Sequence, residues 1–132
     1  LDFALILVSH DLALVADVTD RIVVMYGGQI AESGITSAVL ASPRHHYVRG
    51  LLSSVLSLEA AEQRLSQIPG VVPSPADFPS GCRFADRCPA ATEICLRVRP
   101  EPVGDPARHG FACHHPAEDT RAAVLAGSGV RP

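Results

Sequence analysis

Phe3 to Val8 (FALILV) is an unbroken apolar run without alternation, the pattern of a strand covered on both faces in a parallel sheet. A turn and a half of buried helix would look the same over six residues. The polar break Ser9-His10-Asp11 decides for the strand, because Leu12 to Val18 follows with Leu14, Val15 and Val18 at helical spacing. Ser9 or Asp11 can cap that helix by accepting from an orphan amide of its first turn. Arg21 to Tyr26 (RIVVMY) is rich in β-branched residues, Gly27-Gly28 signals a turn, and Gln29 to Glu32 continues as the partner strand. A β-hairpin is therefore predicted, ended by Ser33-Gly34.

Thr36 to Ala41 predicts a short helix stopped by Ser42-Pro43, since the residue before a proline disfavours helical backbone. A longer helix is predicted from about His46 to Leu58, with Tyr47, Leu51, Leu52, Val55 and Leu56 on one stripe. Helical periodicity then stops. Ile68 to Pro79 holds four prolines and one glycine in twelve residues and reads as an extended connector. Gly81 to Pro116 contains every cysteine, and its few large apolar residues (Phe84, Ile94, Leu96, Val98 and Phe111) are too few for an independent core, so this unit needs a staple. The segment after Ala117 is polar, then rich in Ala and Gly, and is expected to be frayed or weakly helical. The expected units are 1–66, a connector 67–80, a Cys-rich extension 81–116 and a tail 117–132.

Composition narrows the class. With 132 residues, 47% apolar and 19% charged, the chain has ordinary globular usage, which excludes wholesale disorder and fibrous architectures. A net charge of -3 argues against a nucleic-acid partner. No apolar run approaches the roughly 18 to 20 residues that span a bilayer, so the chain itself is expected to be soluble. All eleven basic residues are Arg, with no Lys and no Asn, a bias that points to GC-rich coding rather than to a site. The chain opens at Leu1 inside what reads as a core strand, so a fragment lacking its front half is expected. Four cysteines without a secretory signal suggest a reducing compartment, and metal or cluster ligation before disulfides.

Those cysteines, Cys82, Cys88, Cys95 and Cys113, are spaced C-x5-C-x6-C-x17-C. Four thiolates suit tetrahedral zinc or a [4Fe-4S] cluster. Structural zinc usually uses pairs two to four residues apart, whereas these wider gaps suit a cubane approached from several directions. Disulfides and unconnected buried thiols remain the alternatives. Phe84, Pro89 and Phe111 could shield such a centre, and Arg83, Arg87, Arg97 and Arg108 could offset its negative charge. Of the histidines, His10 stands at the carboxyl end of the predicted strand, where α/β proteins place ligand-binding groups, although a lone histidine there is more often structural. His45-His46 reads as a surface or capping pair, and His114-His115 as solvent-facing.

The order of these features resembles a known family. Leu5 to Asp11 (LILVSHD), followed by LALVADVTDRIVVMYGGQIAESG, is similar to the C-terminal end of the nucleotide-binding subunit of ABC transporters. The resemblance implies an α/β fold, the C-terminal part of a P-loop NTPase lobe with a small irregular Cys-rich extension. It makes His10 the H-loop residue that contacts the γ-phosphate of ATP. Pro43 to Leu52 resembles the P-x-H-P-Y-T-x-x-L-L element of oligopeptide/dipeptide importer ATPases, with His46 for the usual proline and Val48 for the usual threonine. Ile68-Pro69-Gly70, Pro79 to Phe84, Arg87-Cys88-Pro89, Cys95 and Ala112-Cys113-His114 resemble that subfamily's C-terminal extension. In relatives this extension holds a [4Fe-4S] cluster, which implies Cys82, Cys88, Cys95 and Cys113 as ligands, with zinc on the same four as the alternative.

The resemblance further implies ATP and Mg²⁺ as cofactors of the intact subunit, and a second ATPase subunit and transmembrane permease subunits as partners. It implies a peripheral position on the cytoplasmic face of the bacterial cell membrane. The chain has no G-x-x-x-x-G-K-[ST] loop, no LSGGQ-like segment and no Walker B acid, so these residues alone are expected neither to bind ATP tightly nor to hydrolyse it. Apolar surface that a front half would cover offers a route to self-association. The competing class is a stand-alone zinc-binding interaction module.

Overall fold

A computed structural model describes residues 2–59 and 67–119. In chain order the elements are α1 (Leu12–Val18), β1 (Arg21–Tyr26), β2 (Gln29–Ile35), α2 (Thr36–Ala41), α3 (His46–Glu59), two single 3-10 turns (Pro75–Asp77 and Ala85–Arg87), α4 (Glu93–Arg97), β3 (Val103–Asp105) and β4 (His109–Phe111). None of the helices among the described residues is long and apolar enough to cross a membrane. The expected stretch 60–66 and most of the tail, 120–132, lie outside the described residues.

The hairpin forms where its alternation dictates. Ile22, Val24 and Tyr26 are buried while Arg21, Val23 and Met25 face out, and Gly27 and Gly28 turn the chain with φ of 57° and 79°. Ile22 and Val24 pack with Val39 of α2 and Val48 of α3, against which Leu12, Val15, Tyr47 and Leu51 lean. Val48, absent from the predicted stripe, is fully buried, whereas Leu56 is exposed. Asp11 caps α1 by accepting from the Leu14 amide at 3.1 Å, and Ser9 accepts from the Asp11 amide.

Two expectations need correction. Phe3 to Val8 is not a strand: it forms no ladder among the described residues, and Phe3, Ile6 and Val8 are exposed. A strand of a parallel sheet exists only through its neighbours, and none of the four strands lies beside this run. Nor does Ser33-Gly34 end the hairpin, because β2 continues to Ile35. A bulge shifts the register between Val24 and Met25, and β2 stays paired with β1 as far as Ile35.

The extension supplies the reason. β4 pairs antiparallel with β2, and β3 with β4, giving the sheet order β1-β2-β4-β3. Gly34 lies opposite His109, and a Cβ at Gly34 would stand 2.3 Å from the Arg108 carbonyl oxygen. The close approach of β4 therefore requires glycine here. An aromatic cluster makes the second junction: Tyr26 meets Tyr47 at 4.8 Å, Phe84 at 5.3 Å and Phe78 at 6.1 Å between ring centres. Each such pair adds about 0.5–1.5 kcal/mol beyond simple burial. Phe84, only 2% exposed, thus completes the core of the hairpin rather than one of its own. Arg83 donates to the Gly27 carbonyl at 2.6 Å and Arg87 to that of Pro69 at 2.9 Å, tying the extension to the hairpin turn and to the connector.

The deepest polar contact of the sheet is made by a carboxyl group. Glu32 is 0% exposed and shares the face of Val24, its cross-strand partner. Its carboxylate accepts the amides of Arg44 (2.9 and 3.1 Å) and His45 (2.8 Å) ahead of α3, and meets His109 Nε2 at 2.6 Å. Hairpin, α2–α3 turn and extension converge on this one side chain. Glu32→Gln is expected to cost about 2–4 kcal/mol, since one amide oxygen replaces two charge-assisted acceptors in a dry site. Gly34→Ala should cost about 1–3 kcal/mol by overpacking. Urea unfolding measures both, and limited proteolysis should find the 103–111 segment cut faster in each; unchanged midpoints would contradict this account.

Candidate metal centre

The four cysteines come from separate pieces of local structure. Cys82 opens the extension, with its amide donating to the Cys95 carbonyl at 2.7 Å, while the neighbouring Gly81 amide donates to the Leu96 carbonyl at 3.1 Å. A Cβ on Gly81 would lie 2.3 Å from that Cys95 carbonyl oxygen, so only glycine lets the two strands of chain touch. Cys88 follows the 3-10 turn Ala85–Arg87, Cys95 sits on α4, and Cys113 comes two residues after β4. All four line one small cavity of about 10 Å³, together with Phe84, Ala85, Ala90 and the histidines 45, 46, 114 and 115. All four thiols are free, and Cys95 is the most enclosed, 7% exposed. Among the described residues, no group of three or more His, Cys, Asp and Glu side chains is disposed to hold a metal ion. The fold thus gathers the sulfurs at one cavity without closing them into a cage.

Backbone amides are aimed at these sulfurs. The N–H groups of Phe84 and Ala85 point to Cys82, those of Ala90 and Ala91 to Cys88, and that of His115 to Cys113. Thr92 N–H donates to Cys95 Sγ at 3.5 Å. A neutral thiol is a weak acceptor, so amides spent in this way suit thiolates. Against that, burial pushes the Cys82 and Cys88 thiols up and carries Cys113 to about 11, with the neighbouring sulfurs adding to the rise. Without a cation the three keep their protons at neutral pH; a bound metal would supply the charge that lets them go. The four sulfurs share one cavity, but as disposed here they do not form a metal-binding group among the described residues.

Other expected neighbours behave differently. Phe84 does line the cavity, but Phe111 packs under the Arg44 guanidinium at 5.0 Å. Arg97 pairs with Glu93, and Arg108 lies 3.9 Å from Asp105. With Arg83 and Arg87 held by carbonyls, the four arginines neutralise no sulfur directly. His45 is not on the surface: it is 4% exposed and its ring lies 5.9 Å from that of Phe84. His10 is exposed beside the N-cap of α1 and takes no part in the cavity.

Residues 31–95 match the oligopeptide/dipeptide transporter C-terminal region, a span that takes in Glu32, Tyr47, Phe78, Phe84 and three of the four cysteines. The chain belongs to this family. It is 40% identical over 118 residues to the dipeptide transport ATP-binding protein DppD of Escherichia coli, covering 89% of this chain and 36% of that protein. It is 46% identical over 98 residues to DppD of Haemophilus influenzae, 74% of this chain and 30% of that protein. DppD of Caldanaerobacter subterraneus is 39% identical over 114 residues, 86% and 35% of the two chains. The chain spans about a third of the length of these curated relatives.

Within the family's C-terminal region, two residues escaped sequence reasoning. Glu32 reads from sequence only as a strand residue, although an acid in a strand of otherwise uncharged residues is a signal that something must pair with it. His45 likewise gave no sign of burial beyond the proline turn before it. Its amide binds Glu32, and its Nδ1 accepts from the Tyr47 amide at 3.1 Å. Burial, helped by the His46 charge, lowers its pKa from 6.5 to about 4. The unfolded chain therefore takes up this proton first. Stability should be full above about pH 6.5 and fall as the pH drops toward 4, by about 3 kcal/mol at most for this one group. Denaturant unfolding between pH 7.5 and 4.5 measures the loss, and His45→Asn, which keeps an acceptor for Tyr47, should flatten the profile.

Proposed function

We propose that this chain is the C-terminal portion of the ATP-binding subunit of an ABC importer for dipeptides or oligopeptides, in which ATP hydrolysis drives uptake. The observation that carries this is the alignment with dipeptide transport ATP-binding proteins along most of its length. In the intact subunit ATP and Mg²⁺ are held by segments that this chain does not contain, and His10, at the H-loop position, contacts the γ-phosphate. Its partners are a second ATPase subunit and the transmembrane permease subunits, at the cytoplasmic face of the membrane. In the reconstituted transporter His10→Ala should lower ATP turnover about 10²-fold or more, the scale of losing one polar group aimed at developing charge. Turnover within twofold of the parent would sink the assignment of His10.

For the extension we infer a metal-thiolate staple on Cys82, Cys88, Cys95 and Cys113. The amides turned toward the sulfurs support it, and so does the lack of an apolar core of its own. The wide cysteine spacing favours a [4Fe-4S] cluster, with zinc on the same four as the alternative. When bound, either centre supplies cross-links among four chain segments, and the cluster adds a one-electron couple. Anaerobic expression followed by metal analysis decides: about four irons with broad visible absorption supports the cluster, whereas one zinc and no colour supports the stand-alone module. Cys→Ser at any of the four should lower the metal content of the protein and expose 81–116 to protease.

A further inference from the structure

A cavity of about 340 Å³ opens where the hairpin turn meets the extension, within the range of roughly 300–1,000 Å³ typical of small-molecule sites. It is distinct from the sulfur cavity, although Cys82, Phe84 and His45 line both. Part of its lining is apolar. Met25 and Ile30 stand opposite each other across the hairpin, each more than half exposed, and Pro100 and Pro102 add rigid surface without amide donors. The charge on the lining has one sign: Arg83 and Arg99 contribute to it, whereas among the described residues no Asp or Glu does. Arg83 is held in place, with its guanidinium 4.9 Å from the centre of the Phe78 ring and donating to the Gly27 carbonyl at 2.6 Å. A guanidinium has five donors, so this bond leaves others for a ligand. Arg99 is exposed and makes no hydrogen bond or ion pair among the described residues.

We propose that this cavity binds a small amphipathic carboxylate, with Arg99 and Arg83 taking the carboxylate and Met25, Ile30 and the two prolines its hydrocarbon body. Two cations with no acid beside them favour an anion, and a guanidinium matches a carboxylate in shape as well as in charge. An ammonium group would meet no partner in the lining, which sets a simple carboxylate above a zwitterion. A bare inorganic anion would use the arginines and leave Met25 and Ile30 in water, whereas a hydrocarbon body covers apolar surface that the fold leaves open. Because the lining comes from the hairpin and from the extension, an occupant bridges the two and stabilises the folded chain by linkage. The site uses neither ATP nor a metal, so its failure would leave the transporter reading untouched.

The test titrates hexanoate into the whole chain and follows backbone amide shifts by NMR, with hexylammonium and inorganic phosphate as the matched cation and the anion without a body. Hexanoate should give saturable shifts centred on Gln29, Ile30 and Arg99 and raise the urea midpoint, while hexylammonium gives neither. Arg99→Gln should weaken hexanoate about tenfold, the scale of one charge-assisted hydrogen bond, and Arg99→Lys should recover part of the loss. Ile30→Thr should weaken it about fourfold, the scale of one buried methylene, with the charge contact intact. The proposal falls if hexanoate produces no saturable shift at these residues, if hexylammonium binds as well, or if Arg99→Gln and Ile30→Thr both match the parent. Phosphate displacing hexanoate at equal concentration would show that the arginines act alone, and would overturn the amphipathic class.

Discussion

The fold depends on one buried carboxylate. Glu32 reaches the interior on a strand whose neighbours are apolar, and a lone charge there would be untenable. It persists because two separate segments bring it donors: the two amides ahead of α3 and the imidazole of His109. Each donor belongs to a piece of chain with little else to fix it. The α2–α3 turn is proline-broken, and β4 is three residues long. The contact therefore works in both directions, since the segments neutralise Glu32 and Glu32 gives them a common point of attachment. Ser42 donating to Asp119, and Arg44 exchanging hydrogen bonds with Ala117, extend the same junction outward.

The sulfur cavity follows from that junction. Cys113 stands two residues beyond β4, so its position is set by the pairing of β4 with β2. Cys82 and Cys88 flank the turn that carries Phe84 into the aromatic cluster. The lobe thus places two sides of the cavity and α4 the third. What remains local is the aim of the amides, fixed by turns within a few residues of each cysteine. Burial raises the thiols while the neighbouring amides act in the opposite direction.

Local pattern made the hairpin, its glycine turn, the three helices and the cap at Asp11 legible, because each is decided by residues within a few positions. Phe3 to Val8 was misjudged for the converse reason: apolar character states what a segment would do between neighbours, and says nothing of whether they lie beside it. The four cysteines were legible as a group, since few uses other than metal binding or disulfides bring four together. Their enclosure by His45 was not, and neither was the run of β2 to Ile35. Both depend on β4 arriving from more than 70 residues away, a pairing of such short strands that alternation carries almost no signal.

That distance also orders events during synthesis. The hairpin and the helices on it are joined by near neighbours and can form as soon as they leave the ribosome, whereas Glu32 and His109 are separated by 77 positions and must close a long loop first. Three of the sulfurs are already present by then, and the fourth lies just beyond the last strand. The four sulfurs can therefore share one cavity only after β4 has paired with β2.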